Sequence, residues 1–134
     1  MILRRIALAV LALMLAACAT SVPGTRVQVT DLKTLAGSYS GTMNEASELN
    51  RSVNLVLTPD GTFQMDVGDP KGFRTAGKMT LQPDGTLAYE YNEMKGQGLV
   101  ATGTAVVSEG DGRRGIVLTQ KDGQITTSVS RSLP

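Results

Sequence analysis

Leu55-Val56-Leu57-Thr58-Pro59-Asp60-Gly61-Thr62-Phe63 and Met79-Thr80-Leu81-Gln82-Pro83-Asp84-Gly85-Thr86-Leu87 follow one pattern, and its reading decides the fold. In each copy apolar and polar residues alternate, break at Pro-Asp-Gly and then resume the alternation. Pro suits the first αR position of a type I turn, Asp the second, and Gly the left-handed residue that closes a G1 bulge. Each copy therefore predicts a β-hairpin with a three-residue loop. Such a loop pairs Thr58 with Thr62, hence Leu57 with Phe63, Leu55 with Met65 and Val53 with Val67, all apolar partners on one face. A two-residue loop would set Leu57 against Gln64. A slip of one residue turns every side chain to the wrong face, so the apolar match selects the longer loop. The second copy pairs Leu81 with Leu87, Met79 with Tyr89 and Gly77 with Tyr91. Its other face sets Lys78 opposite Glu90, an exposed pair worth about 0.2–1 kcal/mol.

The period of two continues on both sides of these hairpins, from residue 38 onward. Asp111-Gly112 and Asp122-Gly123 separate three more alternating runs, residues 99–108, 114–120 and 124–131. With residues 38–43 as the first strand and 73–82 as the fourth, the chain has about eight strands joined mostly by short hairpins. Closing an antiparallel meander on itself hides its edges, so the expected fold is all-β, an up-and-down meander closed into a small barrel. A β-sandwich or half-open barrel is the alternative, because strand number alone does not establish closure.

The inward set is Tyr39, Met43, Val53, Leu55, Leu57, Phe63, Met65, Val67, Phe73, Met79, Leu81, Leu87, Tyr89, Tyr91, Leu99, Ala101, Ala105, Val107, Ile116, Leu118, Ile125 and Val129. It contains all five aromatic residues of the chain. Gly77 and Gly103 leave room opposite larger side chains. An eight-stranded barrel is either just filled by side chains or holds one small ligand. A buried phenol needs a hydrogen-bond partner, so the tyrosines are either satisfied core residues or reach a partly polar pocket. For the second case the candidate pocket residues are Tyr39, Phe63, Phe73, Tyr89 and Tyr91.

Ahead of the barrel the pattern changes. Arg4-Arg5, an apolar run from Ile6 to Ala17 and small residues before Cys18 have the form of a secretory signal, too short to span a bilayer as a helix. Leu15-Ala16-Ala17-Cys18 resembles the lipobox of bacterial lipoproteins, matching it at all four positions. The resemblance implies that Cys18 becomes the lipidated first residue of the mature protein. Each buried acyl methylene contributes about 0.8 kcal/mol, so one chain holds marginally and two or more hold firmly. In that family Asp after the cysteine retains the protein at the inner membrane; Ala19 stands here, which implies the outer membrane of a two-membrane cell. The expected organisation is a signal helix over residues 1–17, the lipidated cysteine with a flexible tether over 18–30, and a β-barrel domain over 31–134. Asp31-Leu32-Lys33-Thr34-Leu35-Ala36-Gly37 offers a capping Asp and a terminating Gly, which predicts one helical or 3₁₀ turn.

Leu35-Ala36-Gly37-Ser38-Tyr39-Ser40-Gly41, a turn running into the first strand of a meander, is similar to the opening of lipocalin-like (calycin) barrels. Those carry Gly-x-Trp where this chain has Gly37-Ser38-Tyr39, and the chain has no tryptophan. The resemblance implies binding of a small hydrophobic ligand, on a fold that hosts many functions.

Composition narrows the chemistry. Loss of the signal removes two of thirteen basic residues and leaves twelve acidic ones, a balance of −1. No Lys/Arg-rich run exists to grip a phosphate backbone, so no nucleic-acid partner is expected. The chain has no histidine and one cysteine, which the lipid consumes, so neither an imidazole base nor a free thiolate is available. Glu45 with Glu48 and Glu90 with Glu93 are the nearest carboxylate pairs, and both read as solvated surface, the first in a polar loop. The Asp-Gly turns carry too few oxygen ligands for calcium. Met43, Met65 and Met79 occupy inward positions and read, with Met94, as packing rather than as thioethers for copper. No catalytic residue, cofactor or metal is expected. Two roles stay open: an envelope interaction module working through loops such as residues 44–51 or 68–72 on an envelope protein or the cell wall, and a barrel that takes a small hydrophobic or amphipathic ligand.

Overall fold

A computed structural model of the chain describes residues 24–45, 48–68, 72–92 and 100–134. The signal, Cys18, Met94 and Leu99 lie outside the described residues. Among the described residues nine strands follow in order: β1 (Thr25–Val27), β2 (Gly37–Glu45), β3 (Glu48–Leu57), β4 (Thr62–Val67), β5 (Phe73–Leu81), β6 (Leu87–Asn92), β7 (Val100–Gly110), β8 (Arg113–Gln120) and β9 (Ile125–Ser132). From β2 to β9 each strand pairs antiparallel with the next, and β9 returns to pair with β2. The meander thus closes into an eight-stranded barrel, with β1 outside it. Closure pairs each of the eight barrel strands on both sides, where an open clam or a sandwich would leave edges exposed.

Both Pro-Asp-Gly hairpins adopt the expected register, Leu57 opposite Phe63 and Leu81 opposite Leu87. In the first, the Thr58 N–H donates to the Thr62 carbonyl at 2.9 Å and the Gly61 N–H to the Thr58 carbonyl at 3.0 Å. Gly61 and Gly85 have φ of 92° and 81°, the left-handed conformation that requires glycine to close the bulge. Asp60 and Asp84 each accept the N–H two residues on, from Thr62 and Thr86, at 3.0 Å. Hydrogen bonds from the Thr58 hydroxyl and from the Thr62 backbone and side chain bring the Asp60 pKa down to about 2. Asp84 is lowered in the same direction by Thr86.

Every inward residue named from the sequence and described here is buried or packs against the core, with Phe73, Leu81 and Ile125 at its partly exposed margin. The two glycines make the room expected of them. A Cβ on Gly77 would meet Phe63 Cζ at 2.6 Å, and one on Gly103 would meet the Tyr89 hydroxyl at 2.6 Å.

The N-terminal segment departs from expectation. Residues 25–30, assigned above to the tether, are docked on the barrel. β1 pairs with Val107 to Glu109 of β7, beyond the point where β6 begins against Ala105. The Val29 N–H donates to the Gly85 carbonyl at 3.2 Å, and its side chain is buried. A 3₁₀ turn follows at Leu32–Leu35, with Asp31 as its cap accepting from the Lys33 N–H at 3.0 Å. Val27, Val29, Leu32 and Leu35 follow neither period two nor 3.6, so the segment had no periodic signal, although its apolar residues find the barrel end.

Candidate functional site

The closed meander has two ends built differently. At one end lie the β3–β4, β5–β6 and β7–β8 turns and the strap of residues 24–36. Leu35, 2 % exposed, plugs this end. Three side chains hold the strap by its carbonyls: the Tyr39 hydroxyl donates to Leu35 at 2.7 Å, Arg114 to Thr34 at 2.6 Å and Arg131 to Ala36 at 2.8 Å. The Arg131 guanidinium also lies 5.7 Å from the Tyr39 ring centroid, a cation–π distance. Arg114 is in turn paired with Glu109 at 2.8 Å. This end is tied shut by polar bonds to backbone atoms that would otherwise be orphaned.

At the other end β2, β4, β6 and β8 finish and β3, β5, β7 and β9 begin, and here the inward positions turn polar. Arg51 and Thr127 both oppose Met43, and Thr75 opposes Met65; all three polar side chains are buried. Arg51 Nη2 lies 3.3 Å from Glu45 Oε1, an ion pair with one partner inside and the other at the rim. Tyr91, at the end of β6, donates its hydroxyl to Gln120 Oε1 at 3.4 Å. Tyr89 and Tyr91 stack with ring centroids 6.0 Å apart and planes 4° apart. Burial raises the Tyr89 pKa, and the nearby Tyr91 and Asp122 add to it, so this phenol stays a neutral donor at physiological pH. The cross-strand partners of Arg51, Thr127 and Thr75 are apolar, with Met65 fully buried and Met43 at 1 % exposure. Arg51, Thr75, Tyr91 and Gln120 all have partners within the protein, and with Thr127 and Tyr89 they make this end of the interior polar.

The five aromatics proposed as pocket residues are placed differently from one another. Tyr39 has its hydroxyl committed to the strap, and Phe63 follows directly on the β3–β4 turn at the closed end. Phe73, Tyr89 and Tyr91 belong to the inward face that leads to the loop end. The sequence reading passed over Arg51, Thr75, Gln120 and Thr127. Each keeps the inward parity of its strand, at 51-53-55-57 for β3 and 125-127-129 for β9; Arg51 falls in the expected loop, while Thr75, Gln120 and Thr127 lie within expected strands but outside the apolar inward set. The expected loop over residues 44–51 is correspondingly shorter: β2 runs to Glu45 and β3 starts at Glu48, with these two as register partners. Residues 69–71 of the other expected loop lie outside the described residues. Among the described residues no group of three or more His, Cys, Asp or Glu could hold a metal ion. Comparison with protein-family models, with curated proteins and with solved structures finds no match for the chain.

Proposed function

We propose that the protein is a lipid-anchored lipoprotein of the bacterial envelope, acting as a non-enzymatic interaction module whose working end is the loop end of its barrel. The single observation that carries this reading is where the chain enters the fold. Gly24 leads into β1 beside Glu109 and Gly110, at the closed end. Five residues separate Cys18 from Gly24, a span of at most about 20 Å when extended. An acyl group on Cys18 would therefore hold the closed end against the bilayer and turn the loop end away from it. With Ala19 after the cysteine, the outer membrane is the proposed destination. The proposal includes no catalytic role and no cofactor.

A second reading, a small amphipathic ligand in the mouth, is favoured by the mixture at this end of polar Arg51 and Gln120 with the stacked tyrosines and the apolar Met43 and Met65. Tyr39 and Phe63 have no part in that version.

The test has two arms. Cells grown with labelled palmitate should label the wild-type chain and leave Cys18→Ala unlabelled and released from the membrane fraction; labelling of the variant would refute the anchor. A photo-crosslinking residue at Asp122, in the β8–β9 turn, should capture a discrete partner that the same residue at Asp84, in the β5–β6 turn, does not. Equal capture from both ends would refute the loop end as the working end. Lipids found by mass spectrometry in the purified protein, and lost on Gln120→Leu, would favour the ligand reading.

A further inference from the structure

We propose that the outer wall of the barrel carries a separate binding site, a groove across β5–β8 that takes a short polar peptide bearing two carboxylates and one ammonium group. The groove has a volume of about 710 Å³, within the roughly 300–1,000 Å³ range of small-ligand sites. It is built from two neighbouring rows of cross-strand partners. One row is Lys78, Glu90 and Thr102; the next is Thr80, Ala88, Thr104 and Thr119. Partners in a row stand about 4.8 Å apart. The methyl of Ala88 and the strand backbone at Gly103, whose Cβ position faces Tyr89 inside the barrel, form a low floor between taller side chains. The β8–β9 turn walls the groove on its loop side, because the Lys121 N–H donates to the Thr102 carbonyl and the Gly123 N–H to the Gln120 carbonyl, both at 2.8 Å.

The polar side chains of these rows are unengaged. Among the described residues, Lys78, Glu90 and Lys121 form no ion pair or hydrogen bond, although Lys78 and Glu90 face each other in register. The four threonine hydroxyls of the two rows likewise have no protein partner. Elsewhere such groups are mixed, some free and some engaged: Lys33, Thr42 and Thr126 also form no side-chain bond among the described residues. Arg74 pairs with Asp66 at 2.6 Å, Arg114 with Glu109 at 2.8 Å, and Thr58, Thr62 and Thr86 bond within their turns. The groove thus concentrates free donors and acceptors.

Its chemistry excludes most ligand classes. Tyr89 borders the groove but is only 5 % exposed, and its ring, like those of the other four aromatics, belongs to the inward core, so no ring face is offered to a sugar or a base. The exposed large hydrophobic among the described residues is Val56, on β3 and outside the groove, so nothing here holds an acyl chain. Recognition must come from charge and hydrogen bonding. Lys78 and Lys121 complement two carboxylates and Glu90 an ammonium. Threonine hydroxyls, which donate and accept, suit peptide N–H and C=O groups. β5 to β8 are each paired on both edges, so the peptide lies across the strands rather than adding to the sheet.

The test is a titration of the ¹⁵N-labelled full-length chain in detergent micelles with N-acetyl-Ala-Glu-Lys-Ala, which carries two carboxylates and one ammonium. Saturable amide shifts are expected at Ala88, Glu90, Thr102, Gly103 and Lys121. Lys78→Glu with Lys121→Glu should weaken binding by about ten-fold or more, and Ala88→Gln, which fills the floor, should abolish it. These are outward positions, so the variants should keep the wild-type spectrum elsewhere. The same peptide with both carboxyls amidated should not bind. Absence of saturable shifts at millimolar peptide, shifts centred on Tyr91 and Thr127 instead, or equal binding by the double variant or the amidated peptide would overturn the proposal.

Discussion

The closed end and the loop end of the barrel are made by the same eight strands and differ in what those strands turn inward. At the closed end the interior is filled by Leu35, Leu57 and Leu87, all 2 % exposed or less, and polar bonds go to the strap carbonyls outside it. At the loop end polar groups occupy the interior itself, with Arg51, Thr75 and Thr127 buried among apolar neighbours. A buried polar group must be matched by partners or it destabilises, whereas a well-packed leucine stabilises without condition. The difference teaches that folding energy and recognition chemistry are separated along the barrel axis, and substitutions should divide accordingly.

The largest effect is expected at the plug. Leu35→Ala removes a fully buried side chain and should cost about 2–5 kcal/mol in urea unfolding. Ile125→Ala, at the partly exposed loop-end margin, should cost about half as much or less. Equal losses would break the distinction between the ends. Arg131→Ala comes next. It removes the bond to the Ala36 carbonyl and the contact with Tyr39, and should cost about 1–2 kcal/mol with faster amide exchange in the strap and an unchanged loop end. Replacing the ion pair at the mouth should act in the opposite sense. Glu45→Leu with Arg51→Met exchanges a partly desolvated pair for apolar packing and is expected to leave stability unchanged or raise it by about 1 kcal/mol. The same double variant should reduce capture of a partner from the loop end. A clear loss of stability would mean that the pair holds the fold rather than serving recognition.

The barrel was legible in the sequence because period-two alternation and Pro-Asp-Gly chemistry are both local. The pairings of Leu57 with Phe63 and Met79 with Tyr89 follow from turn length and parity alone. Closure was less legible: the pairing of β9 with β2 joins residues at opposite ends of the domain, and no turn fixes their register. Gly41 shows what that seam demands, since a Cβ there would sit 1.8 Å from the Ser128 carbonyl oxygen. The strap was illegible for a different reason. Its apolar residues cover a barrel end rather than one face of an element, so they obey no period. The polar mouth was half legible: parity places Arg51 and Thr127 inward, but polarity argues for solvent, and only the paired neighbours decide between the two.

The smallest expected effect concerns acid at the closed end. Asp60 is drawn down to about 2 from its ordinary 3.8, chiefly by the Thr58 hydroxyl and then by Thr62. Because the folded pKa lies below the unfolded one, the carboxylate contributes stability that is fully present above about pH 4–5 and is lost as pH falls through the interval toward 2. Asp84 is shifted in the same direction in the matching turn, so both Pro-Asp-Gly hairpins should loosen together in acid. The Asp60 side chain is exposed, so the change should be small and local. A ¹³C titration of the Asp60 carboxyl should give a midpoint near 2, against about 3.8 for an isolated peptide of residues 55–63. Over the same interval the amide of Thr62, which donates to that carboxylate, should lose exchange protection. Asp60→Asn should remove the pH dependence at this turn and leave it at the Asp84 turn. A folded-state midpoint near 3.8 would mean that the aspartate acts in these turns only through backbone geometry, and that the closed end owes its tightness to the strap and the plug alone.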